Sequence, residues 1–324
     1  MAKAKYASLT TIYAALVGNL LVAATKFVAA FLTGSSSMFS ESVHSLVDTL
    51  NEGLLLYGYA RAKRGPDVVH PLGYGRELYF WSFIVALLVF AVGAGVSLYQ
   101  GVIRVLHPVP IVDPIVNYVV LALSFLFEGT SWHVAYRAFH AAQGDLGYWE
   151  AVRRSKDPPS FMVLLEDTAA LIGIAIAAAA IYASVAFDMP VLDGVASILI
   201  GCVLAAVAVV LARESKGLLI GERAHPRVAA SLQALAMEEP DVVSASVILT
   251  VHLAPTQVVA ALSIEYRDQL RAPQIEASVE RLERRIRERH PEITELLVKP
   301  QTRQRYEVDC RARFRLPQEA AGTG

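Results

Sequence analysis

The sequence predicts a membrane protein in two parts: an all-α bundle of six transmembrane helices, then a small α+β domain. Three observations predict it. The 324-residue chain is 55% hydrophobic, with a mean hydropathy of +0.44, too apolar for an ordinary soluble protein. Its apolar content is concentrated in six long runs within residues 1–212, with the charges gathered in short clusters. Residues 213–308 have the mixed composition of a soluble domain, and 309–324 read as a flexible tail.

Span one is 10–32, where Asn19 and Lys26 are the strongly polar residues. The tight, uncharged turn Thr33-Gly34-Ser35-Ser36 leads into span two, 36–60, and the charged break from Arg61 to Asp67 follows. Span three, 78–104, contains Gly93 and Gly95, small residues that let another helix come close. His107-Pro108-Val109-Pro110 ends it. Span four, 112–139, holds Glu128 and His133. A loop at 140–160 carries Arg153, Arg154, Lys156 and the breaker Asp157-Pro158-Pro159. Span five, 161–186, carries Glu166 and Asp167; span six, 190–212, opens with Pro190 and Asp193. Lys and Arg gather at the N-terminus, between spans two and three, between four and five, and after six, while the opposite loops hold Arg104 and little else. By the positive-inside rule both termini are cytoplasmic. The first apolar run lacks a small-residue cleavage site, so it is expected to remain as a span.

The second domain reads as a helix at 225–237, strands at 242–252 and 257–266 joined at Ala254-Pro255, a helix at 273–289 and a strand at 293–298. In the second helix Ile275, Val279, Leu282 and Ile286 recur at i, i+4, i+7 and i+11, so one face is apolar. So small a domain buries little alone, and pairing with a second copy is expected. Cys202 and Cys310 form no CxxC, so neither a zinc knuckle nor a disulfide framework follows. The near-balance of 29 basic and 30 acidic residues leaves no nucleic-acid footprint.

The chemistry concentrates in span two. Glu41, His44 and Asp48 are spaced i, i+3, i+7, and a helix stacks them on one stripe. On a soluble helix a histidine there is commonly a hydrogen-bonded packing residue, and Asp48 could cap or pair locally. Inside a membrane span a charge costs at least roughly 2.5–3.5 kcal/mol, and ionisable groups default to function. A divalent cation is the natural partner for imidazole nitrogen and carboxylate oxygen. Span five supplies a second pair. Glu166 and Asp167 are adjacent and point about 100° apart, so both line one cavity only if it is wide, or else one binds metal and the other pairs nearby. His44, Asp48, Asp167 and Glu166 together make a four-ligand nitrogen and oxygen site from two helices, as a transport site requires. Glu41 is a candidate for a supporting position or the cavity mouth, and Asn19 and Asn51 for hydrogen bonds between helices. Metal ligands must be deprotonated, so one site gives metal–proton exchange by competition.

Other polar positions carry weaker signals. Glu128 and His133 lie five apart and do not stack well. A helix start or packing explains Asp193 as well as function does. Asp67, His70 and Tyr74 make an incomplete site, and His225, His252 and His290 are dispersed and read as solvated. No HExxH occurs, so an enzyme is not expected and no resident cofactor is implied.

The run from Ser37 to Asp48, then Pro66-Asp67 and His70-Pro71-Leu72-Gly73-Tyr74-Gly75-Arg76, resembles the second span and following loop of cation diffusion facilitators. Ser155-Lys156-Asp157-Pro158 and Leu164-Leu165-Glu166-Asp167-Thr168-Ala169-Ala170 are similar to the branch that includes the animal mitochondrial zinc transporter nine. The resemblance implies a six-span bundle with a ferredoxin-like cytoplasmic domain, working as a homodimer. It implies antiport of a divalent metal, zinc first, against protons, out of the cytoplasm by alternating access, as in a bacterial-type inner membrane. The family's ligands are two on span two and two on span five; His44, Asp48 and Asp167 match three. Val163 stands at the fourth place, with Glu166 as its substitute. A carboxylate-rich site also suits manganese or iron(II), and His44 suits cobalt. The tail lacks a closing His-x-Asp, having Val298-Lys299-Pro300 there, so it is expected to dimerise without a bridging metal cluster. A metal-binding partner subunit that moves no ion is the alternative reading.

Overall fold

In a computed structural model the described residues are 9–143 and 147–314. They fall into two compact units, one up to Lys216 and one from Gly217 onward. The first unit is helical: α1 (Leu9–Thr33), α2 (Ser36–Ala62), α3 (Glu77–Leu88), a π-helical segment Val89–Ala94, α4 (Gly95–Leu106), α5 (Pro114–Gln143), α6 (Tyr148–Arg154), α7 (Pro158–Ala186) and α8 (Val191–Ile220). Among the described residues, five stretches are long and apolar enough to cross a membrane: Leu16–Thr33, Glu77–Leu106, Pro114–Ala141, Pro158–Ala186 and Val191–Ile220. At 27 residues α2 has the length, but its serines, acids, His44 and Asn51 lower its hydropathy.

Three details differ from the sequence reading. The loop at 140–160 contains α6, which buries Ala151 and Val152. Helix α8 continues to Ile220, because Arg213, Glu214 and Lys216 lower hydropathy without lowering helix propensity. The close helix approach is not at Gly93 or Gly95. A Cβ on Gly93 would meet Leu204 at an ordinary 3.5 Å, and one on Gly95 would meet its own helix's Phe90 carbonyl. Two backbones approach closely where α4 meets α8: a Cβ on Gly101 would come within 2.7 Å of the Ile198 nitrogen, and one on Gly194 within 2.8 Å of the Val105 nitrogen.

The turn between α1 and α2 is fastened from outside. The fully buried carboxylate of Asp193 on α8 accepts from the hydroxyls of Ser35 (2.8 Å), Ser36 (2.9 Å) and Ser37, and from the amides of Ser36 and Ser37 (3.2 Å). It therefore serves the first amides of α2, which have no partner within the helix. The Thr33 hydroxyl also bonds Asn117, and the Arg104 guanidinium donates to the Gly34 carbonyl. Asp193→Ala is expected to destabilise the unit by about 2–4 kcal/mol, since charged hydrogen bonds and a helix cap are lost together. Denaturation in mixed micelles measures it, and an unchanged midpoint rejects the fastening role.

The second unit runs α9 (Pro226–Met237), β1 (Val242–Ala254), β2 (Gln257–Tyr266), α10 (Ala272–Arg289), β3 (Ile293–Pro300) and α11 (Arg303–Phe314). The sheet order is β1-β2-β3, with β1 antiparallel and β3 parallel to the central β2. Leu282 and Ile286 of α10 join Leu232 and Ala236 of α9 and Val258, Ala260, Leu262 and Ile264 of β2 in its core, with Ile275 and Val279 packed against it. Two expectations are corrected. The chain does not fray after Val308: α11 runs to Phe314, while 315–324 lie outside the described residues. Nor are all the histidines solvated, for His252 is 8% exposed and His290 bonds Ser231 and Glu292.

Candidate metal site

In α2, the i, i+4 spacing places His44 against Asp48, with Nδ1 3.4 Å from Oδ1. His44 is 1% exposed, and neither ring nitrogen has a hydrogen-bond partner. Asp48 Oδ1 likewise makes no hydrogen bond. On α7, Glu166 Oε1 accepts from Asn51 Nδ2 of α2 at 3.1 Å. Asp167 Oδ2 accepts from the Ser131 hydroxyl of α5 at 2.8 Å.

Asp48, Glu166 and Asp167 line one cavity of about 360 Å³, together with Asn19, Glu52, Ser131, Asp157 and Val163. It reaches Tyr59 near the C-terminal end of α2 and Pro159 near the N-terminal end of α7. Its width admits both Glu166 and Asp167 despite their divergent directions. His44 lies behind Asp48, outside the cavity lining. The four residues are not drawn into one shell: among the described residues, no three His, Cys, Asp or Glu side chains sit close enough to hold a metal ion. Asn51 and Ser131 each hydrogen-bond one oxygen of Glu166 and Asp167, respectively.

Lys26, buried in α1, was visible only as a lone cation in an apolar run. Its ammonium lies 2.7 Å from the Ser45 hydroxyl, 3.4 Å from Glu41 Oε2 and 3.7 Å from Glu128 Oε1. A buried charge requires a partner, and Glu41 and Glu128 supply it; Glu41 is not among the residues that line the cavity. A Cβ on Gly173 would come within 2.1 Å of Glu41 Oε1, so α7 has a bare backbone position where that carboxylate lies. Ser131 carried no sequence signal.

The remaining polar candidates have local work. His133 is exposed on α5. Asp67 organises its loop, accepting from the amides of Val69 (2.9 Å) and His70 (2.7 Å) and from the Tyr74 hydroxyl (2.6 Å). The Tyr74 hydroxyl and then the His70 amide hold its pKa down at about 2. His225 caps α9 by accepting from the Arg227 amide.

Comparison with known proteins identifies the helical unit. The family model described as Cation efflux transmembrane domain matches residues 12–220. The human mitochondrial proton-coupled zinc antiporter SLC30A9 is 36% identical over 219 residues, 67% of this chain and 39% of that protein. Its Xenopus laevis counterpart is 38% identical over 220 residues, again 67% and 39%. Metal tolerance protein C4 of Arabidopsis thaliana is 37% identical over 205 residues, 63% of this chain and 45% of that protein. The chain thus spans less than half the length of each of these relatives. With a family match over almost two thirds of its length, the chain belongs to the cation efflux family.

Proposed function

We propose that this chain exchanges a divalent cation, zinc first, for protons across a membrane by alternating access. The observation that carries the reading is the shared cavity: Asp48 from α2 meets Glu166 and Asp167 from α7. Carboxylates facing one another repel, and either a dication or protons relieve that repulsion. Each displaces the other, so a single site couples the two flows. His44 adds a nitrogen ligand once Asp48 turns, and Asp48 and Asp167 supply oxygens. Glu166 takes the fourth position after leaving Asn51. Manganese, iron(II) and cobalt remain substrates of the same chemistry.

In this reading α2 is the sixth span, with its polar residues turned onto α1 and α7. The basic loops and both termini then share one aqueous side. The SLC30A9 relatives are mitochondrial by name, which weighs against the expected bacterial inner membrane. The second unit takes a ferredoxin-like arrangement and pairs with a second copy without a bridging metal. Val163, which lines the cavity, supports the other reading, a subunit that binds metal without moving it.

Reconstitution separates the two. An imposed pH gradient is expected to drive zinc or manganese into liposomes carrying the full chain. Calorimetric zinc binding without gradient-dependent flux supports the partner subunit instead.

A further inference from the structure

The cavity holds more acid than the four proposed ligands. Five of its twelve lining residues are acidic, and among the described residues none of the lining is basic. Glu52 and Asp157 are the two additions. Glu52 follows Asp48 at i+4, which places it about 6 Å further along the axis of α2. It lies on the way to Tyr59, where α2 approaches its end. Glu52 also lines a second cavity of about 670 Å³ beside α5, so it stands where the two spaces adjoin. Its Oε2 accepts from Asn19 Nδ2 of α1 at 2.9 Å, a neutral partner that leaves the carboxylate charge uncompensated. One turn deeper than Asp48, the imidazole of His44 is almost fully buried with neither nitrogen hydrogen-bonded, an independent sign that a ligand is received there.

The geometry points to Glu52 as the receiving carboxylate of the site: it takes the divalent cation from the water-facing end of the cavity and passes it to Asp48, while Asn19 holds it aside when no ion is passing. This rests on the metal-binding reading above and adds a role that the four ligands do not supply. The stripe His44, Asp48, Glu52 becomes a ladder with one rung per helical turn. A charged mouth raises the local concentration of a dication and speeds its capture. Its removal acts on capture more than on the transport step.

Glu52→Gln keeps the length and the ability to accept from Asn19, but removes the charge. In proteoliposomes it is expected to raise the half-saturating zinc concentration roughly tenfold with maximal flux within about twofold of the parent. Glu52→Asp restores the parent value. Stopped-flow zinc binding by the purified full chain in detergent is expected to show the same loss in association rate. Unchanged half-saturation and association in Glu52→Gln overturns the assignment. So does an equal loss in both variants accompanied by a lower melting temperature, which marks a structural hydrogen bond. If the parent binds zinc but carries none, the transport reading fails, and the association rates alone then decide the role of Glu52.

Discussion

Asp48→Ala and Asp167→Ala are each expected to reduce gradient-driven zinc flux to the background of protein-free vesicles. Losing even a partner that orients a metal ligand costs about 10–100-fold, so losing a ligand costs on the order of 100-fold or more. Neither substitution should unfold the protein. Asp48 Oδ1 makes no hydrogen bond, and Asp167 gives up only its bond to Ser131 within the resting fold. Glu166→Gln is the informative companion. The amide oxygen still accepts from Asn51, so packing is preserved while a charged ligand is lost. A fluorescent zinc reporter inside the vesicles measures all three, with melting in detergent as the control for folding. Flux that survives both alanine variants removes the cavity from the mechanism.

Lys26→Met should do the opposite, harming the fold first. The substitution has nearly the same length but strips the ammonium from between Glu41 and Glu128, which lie 3.4 and 3.7 Å away. Lys26 and Glu41 are wholly buried and Glu128 nearly so. Breaking a buried pair by removing one partner costs about 3–5 kcal/mol, because the remaining charge is stranded. The expected result is a loss of that size in mixed-micelle denaturation. Adding Glu41→Gln and Glu128→Gln to the same chain should recover most of it, since the stranded charges go too. A single variant as stable as the parent, or a triple variant no better than the single, refutes the ion cluster as the join between α1, α2 and α5.

What could be read from the residues followed their physics. The apolar runs gave the five membrane-type helices, because hydropathy and length are local properties. The i, i+4 relation of His44 and Asp48 is also local, and the two side chains meet. Lys26 was visible as an anomaly, but its partners come from α2 and α5, and nothing local says which helices adjoin. The same holds for Asp193, which lies on α8 and acts on the start of α2, 157 positions away. Helix α11 was missed because its charges show no apolar face. The extension of α8 was missed because hydropathy marks where a helix leaves lipid, not where it ends. Whether His44 joins the carboxylates depends on a motion, and no sequence pattern reports that.

The anchoring of the first turn of α2 has a mechanical consequence. A rod clamped at one end travels most at the other. Helix α2 has 27 residues, and its clamp is the Asp193 contact at Ser36 and Ser37. At 1.5 Å per residue it is about 40 Å long, so a tilt of roughly 10° about that point carries the free end by about 7 Å. On the same geometry such a tilt would move Tyr59 by about 6 Å, Glu52 by about 4 Å and His44 by about 2 Å. Under the alternating access proposed above, a small rotation of this lever would open or close the throat through displacements that shrink steadily towards the anchored turn.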